Sequence, residues 1–194
     1  MWPTATRLPS LNQAQHIERA IAVLDVALAR DDAVAELRRA ATHDDLTGLL
    51  NRAAFHHRWA GSPDPQTALL YVDLDGFKPI NDAIGHQAGD AVLVEVADRM
   101  RSAVRPHDDV VRLGGDEFAV VCPGAGVDEA QVIAERLVGA VSAPVVLADG
   151  STVAVSASVG VTSAGTSLDD LVARADAALY EAKRTGGGRV VVAS

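Results

Sequence analysis

The chain has 194 residues, of which 48% are hydrophobic and 22% charged, with a formal net charge of −9; this suits one domain with its own core plus an extension, and makes the chain a poor candidate for wrapping duplex nucleic acid, because that affinity comes from neutralising phosphates. A small phosphorylated ligand held by a few local cations stays compatible with the acidic balance. The single cysteine, Cys122, excludes a disulfide framework and reads as a buried free thiol, no apolar run approaches the roughly 18 residues of a membrane span, and Met1 to Ser10 lacks the pattern of a signal peptide, so a cytoplasmic protein is expected.

Residues 11 to about 42 read as one helix, with Ile17, Ile21, Leu24 and Leu28 at a 4-3-4 spacing that Val34 and Leu37 resume after Asp31-Asp32. Two uses fit that seam equally: an amphipathic helix packed on its own domain, or a dimerising helix. Gly61-Ser62-Pro63-Asp64-Pro65 is a loop. Ala68 to Asp75 alternates as a strand, with Leu70, Val72 and Leu74 on one side and Tyr71, Asp73 and Asp75 on the other. Residues 77–84 form a short helix closed by Gly85, and residues 90–104 a longer one with Leu93, Val96, Ala97, Met100 and Val104 on one stripe. Val110 to Leu113 and Glu117 to Cys122 flank Gly114-Gly115 as a hairpin.

Residues 127–142 form a helix with Ala130, Ile133, Ala134, Leu137 and Val141 inward. Thr152 to Ser163 reads as one strand. Ser167 caps a final helix, with Asp170 three residues on and Leu168, Leu171, Val172, Ala175 and Leu179 as its apolar face; Gly186-Gly187-Gly188 ends it, and Arg189 to Ala193 is a last strand. The order of elements implies an α+β fold, a mixed sheet flanked by helices.

Asp73 and Asp75 close an otherwise apolar strand. A carboxylate beside a buried sheet costs free energy unless compensated, and a divalent cation is one natural partner. Asp116 and Glu117 follow the Gly-Gly turn; if that hairpin lies beside the first strand, Asp73 and Asp116 share metal ions, and Gly114 and Gly115 let a nucleotide approach the backbone. Acidic residues also gather at strand ends because ends are solvated, and a lone Asp-x-Asp is better read that way. Of the 17 basic residues all but Lys78 and Lys183 are Arg, which singles out those two compact point charges as candidates for phosphate.

The sequence Arg112-Leu113-Gly114-Gly115-Asp116-Glu117-Phe118 resembles the signature of the GGDEF family of diguanylate cyclases. Other blocks agree in order and spacing: Asp44 to Arg52, Asp73 to Asp82, Gly85 to Asp90, and Ala175-Asp176, Tyr180 and Ala182-Lys183. The similarity covers residues 44 to about 193 and divides the chain into an N-terminal helical extension, 1–43, and a cyclase domain, 44–194. It implies a palm-like fold shared with nucleotidyl cyclases and polymerases, and condensation of two GTP molecules into cyclic di-GMP.

The resemblance also implies roles. Asp73, the backbone carbonyl of Leu74, and Asp116, with Glu117 assisting, would hold two Mg²⁺ ions, or Mn²⁺ in their place. The metals would activate the 3′-hydroxyl and the α-phosphate, Asp116 would accept the proton, and Lys78 would stabilise phosphate charge. Asn81 and Asp90 would read the guanine edge, with Phe77, His86, Gly114, Gly115 and Lys183 completing the substrate site. Arg105 and Asp108, nine and six residues before Gly114, together with Arg136, match the family's inhibitory product site. Each domain would hold one GTP, so catalysis requires a homodimer. The competing reading is a catalytically silent module that binds GTP or cyclic di-GMP; the intact carboxylates argue against it. Two residues depart from the pattern: Gly187 stands where the family often has a phosphate-gripping Arg, leaving Arg184 and Arg189 as substitutes, and Gly76 replaces a bulkier residue.

Overall fold

The computed structural model describes residues 11–193 except 62, 63, 65, 164 and 166, without the side chains of 11–18 and 20–23. The first element, α1 (Leu11–Thr42), is the expected long helix. Leu24, Leu28 and Leu37 of its seam are all more than half exposed, whereas the side chains of Ile17 and Ile21 lie outside the described residues, as do Ser62, Pro63 and Pro65 of the expected loop. Contacts divide the chain between Ala40 and Ala41. Among the described residues no helix is long and apolar enough to cross a membrane.

The second unit runs β1 (Leu50–Asn51), α2 (Arg52–Trp59), β2 (Ala68–Asp75), α3 (Phe77–Ile84), α4 (His86–Ala103), β3 (Asp109–Gly114), β4 (Glu117–Cys122), α5 (Val127–Val141), β5 (Val145–Val146), β6 (Thr152–Val153), β7 (Ser156–Ser163), α6 (Leu168–Arg184) and β8 (Val190–Val192). Six strands make one sheet in the order β1-β3-β4-β2-β7-β8, and β5 pairs with β6 apart from it. β2 lies antiparallel between β4 and β7, while the outer pairs β1–β3 and β7–β8 are parallel. The sheet is therefore mixed, as expected.

Alternation along β2 and β4 divides the core into two layers. Leu70, Val72, Leu74, Phe118 and Val120 face one way and pack with Val96 and Met100 of α4 and Ile133 and Leu137 of α5. Leu69, Ala119 and Val121 face the other way, against Phe55 of α2 and Leu171 and Ala175 of α6. Every predicted inward residue of α5 is buried. With few aromatic residues, close approach of backbones does part of the filling. At Gly160 of β7 an added Cβ would lie 2.0 Å from the Ala175 carbonyl oxygen and 2.4 Å from the Leu179 nitrogen.

Two expectations need correction, and one unassigned stretch proves to be structured. Residues 152–163 are two strands, not one. A turn at Asp149-Gly150, with Gly150 at φ 82° and the Asp149 carboxylate accepting from the Ser151 N–H at 2.9 Å, folds β6 back on β5 before β7 begins. The helix expected from residue 90 begins at His86, because Gly85 at φ 100° both closes α3 and opens α4, its carbonyl accepting from Ala88 and Gly89. Finally, β1 and α2 lie in the stretch after Asp44 that local pattern left unassigned; the Asn51 side chain caps α2 by accepting from the Ala54 N–H at 2.8 Å.

Candidate active site

β2 delivers Asp73 and Asp75 to one end of the sheet, on the face opposite the buried Leu74. The β3–β4 turn arrives beside them, since Asp73 is the cross-strand partner of Glu117 and the Leu74 N–H donates to the Asp116 carbonyl at 3.2 Å. Cross-strand partners share a face, so Glu117, exposed, stands on the side of Asp73.

The turn itself is built by glycine and arginine. Gly114 (φ 147°) and Gly115 (φ 55°) occupy the left-handed half of conformational space. The Arg112 guanidinium donates to the Gly115 carbonyl at 2.9 and 3.1 Å and to both carboxylate oxygens of Asp44 at 3.0 and 3.2 Å. Burial raises the Asp44 carboxyl, but bonds from the Thr47 hydroxyl, the Thr47 N–H and Arg112 outweigh it and hold the group below its ordinary value. Arg112 thus ties the Gly-Gly turn to the start of the domain.

The two aspartates of β2 have different partners. The Asp75 carboxylate accepts from the Ser158 hydroxyl at 2.8 Å, the Ser156 hydroxyl at 3.2 Å and the Gly188 N–H at 2.8 Å, which pins the loop after α6 to the sheet. Gly186, Gly187 and Gly188 all have positive φ, and a Cβ on Gly187 would lie 3.2 Å from Asp75. The glycine that stands where arginine was expected is therefore a residue the local backbone favours. Both expected substitutes are engaged elsewhere. Arg184 forms two bonds with Glu181, and Arg189 donates to the Gly187 carbonyl at 3.2 Å. Gly76 has the same kind of cause, since it caps α3 at φ 81°.

Asp73 instead receives Lys183, the last-turn lysine of α6, whose Nζ lies 2.6 Å from Asp73 Oδ2. Burial pushes the Asp73 carboxyl above its ordinary value; Lys183 works against that shift, and the charges of Asp116 and Asp75 add to it. Among the described residues no three His, Cys, Asp or Glu side chains are gathered into a ready metal cage. The expected donors are nevertheless all oxygen: two carboxylates, Asp73 and Asp116, and the Leu74 backbone carbonyl. That is the chemistry a hard divalent cation takes, and the crowding of the Asp73 carboxylate by the charges of Asp116 and Asp75 favours one.

The residues expected to contact a nucleotide fall where α3 and α4 pack together. Lys78, His86 and Asp90 are exposed or nearly so, and Asn81 is half-buried. Asn81 packs on Gly89, where an added Cβ would come 1.9 Å from Asn81 Oδ1, an oxygen that is buried without a partner. Asp90 lies in the second turn of α4 rather than in a connecting turn. Phe77 is only 7% exposed and belongs to the core cluster, its ring edge toward Gly89.

Arg105, Asp108 and Arg136 are also brought together. The Arg105 N–H donates to Asp108 Oδ2 at 2.9 Å, and the Asp108 N–H to the Arg105 carbonyl at 3.1 Å, closing a turn; Asp108 Oδ1 is buried without a partner. The Arg105 guanidinium pairs with Glu129 of α5, a partner local sequence did not reveal, and Arg136 donates to the Ala103 carbonyl. All four charges act on Cys122, the expected buried thiol, which burial above all pushes up to about 12.

Residues 41–189 match the family described as "Diguanylate cyclase, GGDEF domain". The chain is 46% identical over 127 residues to the diguanylate cyclase TpbB of Pseudomonas aeruginosa, a match covering 63% of this chain and 29% of that protein. It is 43% identical over 135 residues to YhcK, an uncharacterized protein of Bacillus subtilis, covering 68% and 38%. The chain thus spans well under half the length of these curated relatives. Among solved structures, the coiled coil and GGDEF domain of DgcB from Caulobacter crescentus, in complex with c-di-GMP, aligns with TM-score 0.80 at 31% identity over 93% of this chain and 100% of that one. The diguanylate cyclase SiaD of P. aeruginosa, in complex with its activator SiaC, aligns with TM-score 0.76 at 34% identity, covering 94% and 74%. A signature turn locked to a carboxylate-bearing strand, and a family match over most of the chain, lead to one conclusion: the chain belongs to the GGDEF diguanylate cyclase domain family.

Proposed function

We propose that the chain is a diguanylate cyclase that joins two GTP molecules into cyclic di-GMP with release of two pyrophosphates. The observation that carries this reading is the meeting of Asp73, Asp116, Glu117 and Lys183 at one end of the sheet. Relatives named as cyclases and a neighbour in complex with c-di-GMP support it.

Asp73, Asp116 and the Leu74 carbonyl would hold two divalent ions, with Mg²⁺ the expected metal. Bound there, the metal supplies Lewis acidity toward the α-phosphate and lowers the pKa of the attacking 3′-hydroxyl. Asp116 takes the proton from that hydroxyl as its oxygen bonds to the α-phosphorus and pyrophosphate leaves. Glu117 adds negative charge beside the donors. Lys78 and Lys183 carry the charge of the β- and γ-phosphates. Asn81 and Asp90 accept from the N1 and N2 hydrogens of guanine, a pair adenine does not present, with His86 at the rim, and the open backbone of Gly114 and Gly115 lets the nucleotide lie close. Phe77 acts from the core by seating α3 rather than by touching the base. Two domains face one another as a homodimer, each aiming its 3′-hydroxyl at the other's α-phosphate. α1, in the extension ahead of the domain, sets that geometry. Cyclic di-GMP binds Arg105, Asp108 and Arg136 and restrains turnover.

The test is incubation of the purified protein with GTP and Mg²⁺, with Asp116→Ala alongside, and products resolved by chromatography and mass. Cyclic di-GMP from the parent and none from the variant is expected; no product at high protein concentration, with GTP still bound, refutes the cyclase.

A further inference from the structure

Lys183 occupies a position that the phosphate role alone does not explain. Its ammonium makes an ion pair of 2.6 Å with Asp73 Oδ2, and the Asp73 side chain is only 13% exposed against 41% for Lys183. The carboxylates of Asp116 and Asp75 both act unfavourably on the Asp73 charge. Asp75 has its own donors in Ser156, Ser158 and Gly188, and Lys183 is the one cation paired to Asp73 among the described residues. The lysine thus stands in for a metal at the carboxylate that would ligate it.

We propose that Lys183 is a built-in counter-ion of Asp73, exchanged for metal only when a nucleotide offers the lysine a phosphate, so that the site discriminates against free divalent cation and in favour of the metal–nucleotide complex. The inference rests on Asp73 being a metal ligand. Two cations cannot share one half-buried carboxylate oxygen without mutual repulsion. A metal arriving alone must displace the ammonium and leave it near a second positive charge. A metal arriving with a nucleoside triphosphate brings the anion that receives it. The hinge is short, because Lys183 lies in the last turn of α6 on a flexible four-carbon stem. The fixed part is the loop just beyond it, held by Asp75.

Mn²⁺ binding to the full chain without nucleotide, followed by electron paramagnetic resonance, tests this in four proteins: the parent, Lys183→Met, Lys78→Met and Asp116→Ala. Lys78 controls for general loss of positive charge, since it is exposed and is not the cation paired to Asp73. Lys183→Met is expected to tighten Mn²⁺ binding by up to about fivefold, the upper range for a partly exposed pair, while Lys78→Met changes it less than about twofold. Adding GDP is expected to tighten binding in the parent far more than in Lys183→Met. Equal affinities for parent and Lys183→Met, or equal tightening by both lysine variants, overturns the inference. If Mn²⁺ binds the parent and Asp116→Ala alike, or binds no variant, the metal assignment itself fails, and this inference with it. Metal lost on Asp116→Ala but indifferent to Lys183→Met sinks the counter-ion alone.

Discussion

Gly160→Ala is the most direct way to ask how tightly α6 is seated. The new methyl would meet the Ala175 carbonyl oxygen at 2.0 Å and the Leu179 nitrogen at 2.4 Å, where comfortable contact needs roughly 3.5 Å. Both obstacles are backbone atoms in the middle of a helix, so neither can rotate away; helix and strand must part by more than about 1 Å. Overpacking of this kind costs about 1–3 kcal/mol, and two rigid neighbours place this case near the upper end. For a chain of this size each kcal/mol lowers the melting midpoint by about 2–4 °C, giving a fall of about 6–12 °C by calorimetry or circular dichroism. The same shift carries Lys183 away from the position where the proposed cyclase uses it to hold phosphate, so GTP turnover should fall more steeply than stability when assayed well below the melting midpoint. A midpoint within about 1 °C of the parent would show that the α6–β7 contact has slack and that the reasoning from close approach is wrong.

Other outcomes follow from the same site. Asp75→Ala leaves the buried Ser158 hydroxyl without its acceptor and the Gly188 N–H with only the longer bond to Ser158 Oγ at 3.2 Å, which should cost about 1–3 kcal/mol in urea unfolding; a loss under about 0.5 kcal/mol would refute the clamp. Asp44 titrates below its ordinary value when folded. Its stabilisation is therefore present above the unfolded pKa and is lost as pH falls through the lower, folded value. The difference in melting midpoint between parent and Asp44→Asn should be constant near neutrality and shrink below about pH 4; a difference unchanged at acid pH would exclude this origin.

Much of the domain was legible because its information is local. The alternation in Ala68 to Asp75 placed Leu74 in the core and Asp73 at the site, and the Gly114-Gly115 pair announced the turn that brings Asp116 and Glu117 beside it. The breaks fell where a local signal was passed over. Asp149-Gly150, just ahead of the expected strand, is the turn that folds β6 onto β5, Asn51 is a helix cap, and Gly160 in a strand signals a neighbouring backbone. The pairings of Asp73 with Lys183, Asp75 with Gly188 and Arg105 with Glu129 had no such signal. They join residues 110, 113 and 24 positions apart, and nothing in either partner's local sequence records the other. The reason for Gly187 was equally hidden, since it is Asp75 that stands where a Cβ would project.

The two outermost strands of the sheet have a consequence for assembly. β1 contributes two residues and β8 three, so neither margin exposes the long row of open N–H and C=O groups that recruits a foreign strand. Edge-to-edge growth is thereby disfavoured at both sides. The proposed pairing of two copies through their carboxylate ends would then use helices and loops, whose side-chain contacts let the partners re-orient, rather than a hydrogen-bonded ladder that would lock them in one register.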